Sequence, residues 1–397
     1  MIIVQKYGGT SVADAKRINH VAKRIAGVYN SGKKIVVVLS AQGSVTDRLL
    51  QKAHEINPSA SKRELDMLLS TGEQQSVALM AMALQRMGLP AISLNAVQIG
   101  LESSGQYGNA RIKRIHTTRI LEELSKDNIV LIAGFQGVNS IGDITTLGRG
   151  ASDTTAVALA AVLEAELCEI CTDVDGVYTA DPRVVPTAKK LNTISYDEML
   201  EMSCQVLHNR AAEMAKRHNV KLIIRSSMTE EPGTEIREAC KVEDLYVSGV
   251  AIDRDVAQIS VLGIKNQPGA AYKIFALLAD KKISVDVILQ NPGMEAITDI
   301  SFTVAKQDRD EALEVLKASQ DQIGYKAITN NDSLAKLSIV GAGMTTAHGV
   351  ASGMFEALYE NNINIIMIST SEIKITVLVD DHNAEKAKQV VHDKFIV

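Results

Sequence analysis

A lone lysine, two glycines and two hydroxyls stand together in "IIVQKYGGTSV", near the start of the chain. Ile2, Ile3 and Val4 read as a buried strand. Gly8 and Gly9 permit a tight turn and close backbone approach. Thr10 or Ser11 is placed to cap a helix beginning near Val12. Free N–H groups at such a turn, beside the point charge of Lys6, suit an anion, and a phosphate is the first choice. The same stretch also reads as an ordinary strand–turn–helix corner with a surface lysine. It is not a Walker loop, because the spacing G-x-x-x-x-G-K-[ST] is absent.

Other polar clusters invite the same question. Ser40, Thr46 and Asp47 lie in "SAQGSVTD", and Glu73 lies in "STGEQQS". "TTLGRGASDTT" (145–155) sets Arg149 between two glycines and Asp153 at a helix start. "TDVDGVYTADPR" (172–183) bunches three aspartates, a tyrosine and an arginine. Taken singly, each is a solvated loop, a cap (Ser152 or Asp153) or a turn (Asp175-Gly176). Together they suit phosphoryl transfer, which asks for positioning and charge stabilisation more than covalent help. Lys6 and glycine-rich amides can hold phosphates, Arg149 can take a carboxylate bidentately, and Glu73 can hold an ammonium. The set describes an amino-acid substrate beside a nucleotide.

The elements that must position these residues alternate strand and helix over residues 1–240. Strands are expected at 33–41, 91–95, 128–138, in "ELCEICTDV" and in "VKLIIRSS". Helical patterns flank Ser70-Thr71-Gly72, fill 151–165 and run through "SYDEMLEMSCQVLHNRAAEMAKRHN". The apolar runs are near-continuous, as in a parallel sheet covered on both faces. This predicts a doubly wound α/β domain with ligands at the carboxyl ends of its strands. All the polar clusters above fall there.

Beyond "TEEPGTEI" the pattern changes. Residues 257–330 read strand, helix, strand, strand, helix, strand, and residues 335–394 repeat this, with "GAAYKIFALLADKKISVDVI" aligned on "GVASGMFEALYENNINIIMI". Two ferredoxin-like βαββαβ modules follow from the duplication. The second copy runs short of its last strand, and a spare strand, 245–252, precedes the first copy. The economical division is 257–330 for one module, inserted into another made of 245–256 plus 331–397.

Composition narrows the partners. Of 397 residues, 46% are hydrophobic but only 4% aromatic, with no Trp, which disfavours stacking platforms for single-stranded nucleic acid. A formal net charge of -5 without a long Lys/Arg block argues against nucleic-acid and membrane surfaces. No signal peptide or membrane-spanning run is expected, so a cytoplasmic chain is the reading. Cys168 and Cys171 form a C-x-x-C, but in a strand residues three apart point to opposite faces. Core packing, not metal or redox chemistry, is expected of them.

"VQKYGGTSV", "STGEQQS", "TTLGRGASDTTAVALAA" and "DVDGVYTADPR" resemble the aspartate kinases of the amino-acid kinase family. "VLGIKNQPGAAYKIF", "KLSIVGAGM" and "INIIMISTSEIKITVLV" resemble their two ACT domains. The resemblance implies a three-layer αβα domain followed by two ACT modules, and ATP-dependent phosphorylation of the β-carboxylate of L-aspartate. That reaction gives 4-phospho-L-aspartate on the way to lysine, threonine, methionine and diaminopimelate. It implies Lys6, Tyr7, Gly8, Gly9 and Ser40 at the phosphates, and Thr172, Asp173, Tyr178 and Arg183 around the nucleotide. Thr46, Asp47, Glu73, Arg149, Gly150 and Ala151 would hold aspartate. Ser152 and Asp153 would lie between the ligands, with Asp153 orienting Lys6. Mg2+ is expected on the phosphates, held mostly by phosphate oxygens and water.

The ACT pair implies feedback by lysine, threonine or both, and a homodimer through these modules. Asn266, Ser284, Val285, Asp286, Gln290, Val350, Ala351, Asn364, Ile365, Ser371 and Glu372 form the implied effector set. Three departures stand out. Ala151 replaces a glycine frequent in this motif and demands a negative φ. Gln205 stands where many members carry a lysine, and "TTAHGVA" lacks a proline before glycine. A fused homoserine dehydrogenase is not expected in this length. A kinase acting on glutamate predicts no paired ACT modules. A non-catalytic sensor predicts loss of Lys6, Arg149 or Asp153, and all three are present.

Overall fold

The computed structural model describes the whole chain except residues 149, 203–205, 239–246, 293–296, 343, 345–347 and 397. It divides into two compact units, Met1–Tyr178 with Lys190–Lys241, and Thr179–Lys189 with Val242–Val397. The first unit runs β1 (Ile2–Tyr7), α1 (Ala15–Asn30), β2 (Lys34–Leu39), α2 (Val45–Ile56), α3 (Lys62–Leu69), α4 (Thr71–Arg86), β3 (Ala91–Leu94), β4 (Leu101–Ser103) and β5 (Ile112–Ile115). It continues with α5 (Thr118–Ser125), β6 (Ile129–Ala133), β7 (Gln136–Val138), β8 (Ile144–Thr146), α6 (Ala151–Val162) and β9 (Leu167–Thr172). After the excursion at 179–189 come β10 (Thr193–Ser195), α7 (Tyr196–Met202), α8 (Asn209–His218), β11 (Leu222–Ser226) and β12 (Thr234–Arg237).

An eight-stranded sheet, in the order β10-β12-β11-β9-β1-β2-β6-β3, is parallel except where β11 meets β12. The near-continuous apolar runs have the expected cause: alternate residues feed two separate cores. Val4, Val36, Val38, Val130 and Ile132 face one with α6 and α8. Tyr7, Ile35, Val37, Leu39, Ile129 and Leu131 face the other with α1 and α4. Cys168 joins the first core and Cys171 the second. Burial raises both thiol pKa values, that of Cys171 to about 12, so neither forms a thiolate near neutrality. Cys204 and Cys240 lie outside the described residues.

Three segments differ from their sequence pattern. The expected strand 128–138 is two strands in different sheets, broken where Phe135 takes φ 69°. There β7 joins β4, β5 and β8 in a small sheet that apolar periodicity did not announce, because its strands are only three or four residues long. The long helical pattern at 195–219 is α7 and α8, and the His208 side chain accepts from Arg210 N to start α8. Finally, Gly9–Val12 is a 3-10 turn, and α1 is capped not by Thr10 or Ser11 but by Asp14, which accepts from Arg17 N at 2.8 Å. The 3-10 turn takes up Thr10 and Ser11, so α1 starts only at Ala15 and the residue before it is Asp14; Ser11 Oγ instead bonds Ser227 Oγ at 2.7 Å.

The second unit runs β13 (Gly249–Asp253), β14 (Ala257–Lys265), α9 (Ala270–Asp280), β15 (Ile288–Pro292), β16 (Ile297–Val304), α10 (Arg309–Ala318), α11 (Gln320–Ile323) and β17 (Ala327–Asn331). Then follow β18 (Leu334–Val340), α12 (Val350–Glu360), β19 (Met367–Thr370), β20 (Lys374–Asp380) and α13 (Ala384–Phe395). Its two four-stranded sheets are ordered β15-β16-β14-β17 and β13-β18-β20-β19. Thus Gly249–Asp253 pairs antiparallel with β18, at the edge of the later sheet. Residues 245 and 246 lie outside the described residues. The duplication is visible in the backbone. Gly269 and Gly349 open α9 and α12 at φ 90° and 88°. Lys282 and Asn362 both take positive φ just after these helices.

Phe302 is fully buried and meets Phe275 edge-on at 5.4 Å. Phe302→Ala is expected to cost about 3–5 kcal/mol through the cavity it leaves. The check is the fall in the urea midpoint of the second unit's transition at constant slope. A shift below about 1 kcal/mol would mean that the site collapses without loss.

Candidate active site

Lys6 is the next-to-last residue of β1, flanked in register by Val38 and Ile170. A lysine in a central strand can keep its charge only by reaching past the strand's carboxyl end. Its Nζ does so and lies 2.7 Å from Asp153 Oδ1, both side chains about nine-tenths buried. The contact is an ion pair without the alignment of a hydrogen bond. Asp153 is supplied by the first turn of α6, a helix of small residues buried on every side. The Gly8–Gly9 turn is shaped by close approach. A Cβ on Gly9 would lie 2.6 Å from Ala41 O, and one on Gly8 would lie 3.5 Å from Lys6 Nζ. Tyr7 is buried in the core beneath, which raises its pKa, so it serves this turn as packing.

The next strand end adds a second polar wall. Ser40 N donates to Tyr7 O at 3.2 Å, which ties the two strand ends together. Glu73, from the first turn of α4, is 3% exposed and accepts from Ala41 N at 3.1 Å through Oε1. Its Oε2 is buried and finds no hydrogen-bond partner among the described residues. Burial pushes its pKa up to about 7, against smaller opposing hydrogen bonds from the backbone of Glu73 and Ala41. Thr46 and Asp47 begin α2, with Asp47 exposed.

The β8–α6 turn carries the third wall. Gly148 and Gly150 both take left-handed φ, 89° and 67°, conformations that favour glycine. A Cβ on Gly150 would meet His208 Cδ2 at 2.5 Å. Ala151 is the first residue of α6 and fully buried, so the helical backbone accepts its Cβ. Ser152 is buried beside Asp153. Arg149 and Gln205 lie outside the described residues. Thr172 ends β9 and donates to Asp173 Oδ1 at 3.1 Å, and Tyr178 donates to Asp175 at 3.0 Å. Arg183 belongs to the second unit, where it forks onto Asp181 at 3.0 and 2.8 Å and lowers that carboxyl's pKa.

In the second unit, Asn266, Ser284, Gln290, Asn364, Ser371 and Glu372 are exposed, Val285, Ala351 and Ile365 half-buried, and Val350 buried. Asp286 does not wait alone. Lys336 of β18 bonds it and also lies 3.3 Å from Asp253 Oδ2. Burial alone would lower the Lys336 pKa, but these two carboxylates outweigh it and raise the value. Sequence reasoning missed Lys336, and it missed Asp66, Arg210 and His208 around the β8–α6 turn. An acid at position 66 on the same helical stripe as Leu69 and Ser70 was the available signal.

A doubly wound domain with a lysine–aspartate pair at its strand ends, joined to two βαββ modules, defines a class. Residues 1–226 match the amino acid kinase family, and residues 259–320 and 337–395 match the ACT domain. The aspartokinase of Thermus thermophilus is 48% identical over 99% of this chain and 98% of its own. E. coli aspartokinase III in complex with aspartate and ADP superposes with a TM-score of 0.86 at 26% identity, covering 100% of both chains. The same enzyme with lysine and aspartate gives 0.74 at 25% identity, again over 100% of both. The chain belongs to the aspartokinases, amino acid kinases that carry ACT domains. It is an enzyme, a phosphotransferase with a carboxyl group as acceptor.

Glu73 makes the site's stability pH-dependent. Its folded-state pKa, about 7, lies above the ordinary carboxylate value of 4.5. Its contribution is therefore complete below the lower value and lost as pH rises through the upper one. From about pH 5 to about pH 8 the protein should lose about 2.5 kcal/mol relative to Glu73→Gln. Parallel denaturation curves of the two proteins across that range would contradict this.

Proposed function

We propose that the enzyme transfers the γ-phosphoryl group of ATP to the β-carboxylate of L-aspartate. A carboxylate oxygen attacks the γ-phosphorus, the bond to the β-bridging oxygen breaks, and 4-phospho-L-aspartate and ADP leave. The acceptor is already ionised at neutral pH, so no general base is required. What the reaction needs is charge compensation and alignment. The buried Lys6–Asp153 pair at the strand ends is the observation that carries this reading. Lys6 would meet the transferring phosphoryl group, with Asp153 holding its ammonium in place. Gly8, Gly9, Ser40 and Ser152 would line the phosphates, and Thr172, Asp173, Tyr178 and Arg183 the rest of the nucleotide.

Aspartate would lie with its ammonium on the unpartnered Oε2 of Glu73 and its α-carboxylate on the fork of Arg149. Thr46, Asp47, Gly150 and Ala151 would complete its pocket. Mg2+ would be held mostly by the nucleotide's own oxygens and by water. When bound, it would offset phosphate charge. Among the described residues no helix is long and apolar enough to cross a membrane. We further propose the domain division 1–240, 257–330, and 245–256 plus 331–397, with a homodimer formed through the ACT modules. The product would open the route to lysine, threonine, methionine and diaminopimelate, and lysine, threonine or both would feed back through the ACT pair. The lysine complex of E. coli aspartokinase III supports an effector of this class.

Lys6→Ala should reduce turnover by roughly 10²–10³ at an unchanged circular-dichroism spectrum, as loss of one electrostatic contact to a reacting group does. A coupled ATP–aspartate assay giving near-normal rates for this variant would overturn the assignment. For the regulatory half, calorimetry should show binding of lysine or threonine, weakened by Glu372→Ala or Asp286→Ala, with inhibition relieved and turnover kept. A coupling of ~1–3 kcal/mol corresponds to roughly 5–150-fold in affinity. No binding and no inhibition by either amino acid at millimolar concentration would remove this part of the proposal.

A further inference from the structure

Two charged side chains, Asp66 and Arg210, grip the segment that leads from β8 toward α6. Asp66, on α3, is 1% exposed. Its Oδ2 accepts from Thr146 N at 2.9 Å and from Gly108 N at 2.9 Å. Its Oδ1 accepts from Thr146 Oγ1 at 2.7 Å and from Gly108 N at 3.1 Å. Arg210, on α8, holds the next peptide unit from its other polar edge. It donates through Nη1 to Leu147 O at 2.6 Å and to Asn109 Oδ1 at 3.2 Å, and through Nη2 to Ala110 O at 3.0 Å. The two gripped segments are themselves joined, Ala110 N donating to Thr146 O at 2.9 Å.

Charge is being used here for geometry. A buried carboxylate takes only neutral donors, and a half-buried guanidinium spends its fork on carbonyls and an amide. Both groups bridge the same two segments, 108–110 and 146–147. Burying a charge without an opposite partner is costly unless hydrogen bonds replace its hydration. Such an arrangement is economical only if the backbone it fixes must be fixed closely. That backbone leads to Gly148, which takes a left-handed φ of 89°. His208 closes the far side, against Gly150.

We infer that Asp66 and Arg210 are positioning residues for the amino-acid substrate: from two different helices they fix the peptide units of residues 146 and 147, and thereby the base from which Arg149 reaches the α-carboxylate. The inference rests on the reading of Arg149 given above. Displacing such a base by an ångström is enough to cost up to about 100-fold in a well-aligned reaction. Nucleotide contacts at Gly8, Gly9 and the β9 end belong to other segments and are left in place.

The test is a kinetic split in the full-length enzyme. Asp66→Asn must turn an amide N–H₂ toward N–H donors, and Arg210→Lys cannot reach both carbonyls with one ammonium. Each should raise KM for aspartate at least about 10-fold, with KM for ATP held within about twofold. Thr146→Val, which removes one donor at constant shape, should give a smaller rise of the same kind and serves if Asp66→Asn does not fold. Arg149→Lys is assayed alongside. If it raises KM for aspartate while Asp66→Asn, Arg210→Lys and Thr146→Val change only melting temperature, or raise both KM values equally, the inference is overturned and the reading of Arg149 stands. If Arg149→Lys leaves KM for aspartate unchanged, that reading falls and this inference with it.

Discussion

A lysine cannot sit in the middle of a sheet that is buried on both faces unless its ammonium escapes at the strand's end and meets a counter-charge there. Lys6 imposes this condition on the first unit. Its strand is central, with β9 on one side and β2 on the other, so the escape route opens onto the carboxyl edge that the parallel winding already reserves for ligands. Asp153 meets it from α6, and α6 can bring a carboxylate that near only because its body is small residues packed against β1. The Ala-rich helix, the turn of glycines before it and the glycine pair after β1 all accompany the placing of one charged pair at the strand ends, where the proposed phosphates would fit.

The other walls of the site obey a similar economy. Glu73 is buried with one oxygen satisfied and one left over. A carboxyl in that state is held near its own titration point by desolvation, and an arriving ammonium would both pair it and repay its burial. The β8–α6 turn uses the opposite device, with two charged side chains engaged mainly by backbone groups of residues 108, 110, 146 and 147. One site thus contains a carboxylate kept incomplete, suited to binding, and one kept complete, suited to holding a shape.

Much of this was legible in the order of residue types. Continuous apolar strands and intervening helices announced the doubly wound domain, because alternation into two cores requires apolar residues at every strand position. The repeat announced two modules, and the shortfall of the second pointed to an earlier strand. What escaped is explained by range. The β4-β5-β7-β8 sheet is built of strands too short to show a period. Asp14 caps α1 because an intervening 3-10 turn takes up Thr10 and Ser11, and the partner of Ser11, Ser227, is more than two hundred residues away in sequence. Asp66, Arg210 and Lys336 likewise act on partners distant in the chain, and a long-range hydrogen bond leaves no local spacing to detect.

The duplicated modules show which positions tolerate divergence. Offset by the distance between Gly269 and Gly349, the residues that set backbone geometry coincide: both glycines open helices at nearly equal φ, and Lys282 and Asn362 both turn left-handed. The same offset sets Asp286 against Ile366 and Gln290 against Thr370. At these positions the backbone-determining residues are held while the polar ones are not, and among the described residues it is Asp286 that engages the half-buried Lys336. Two copies of one fold that differ in this way cannot present the same recognition chemistry. The charged member is bonded by Lys336 through one of its oxygens, so an external ammonium would either share the carboxylate or displace the lysine. Displacement would leave Lys336 with Asp253, already 3.3 Å away, as its carboxylate partner. An effector that displaced Lys336 would act on β18, which carries that lysine and also pairs with β13.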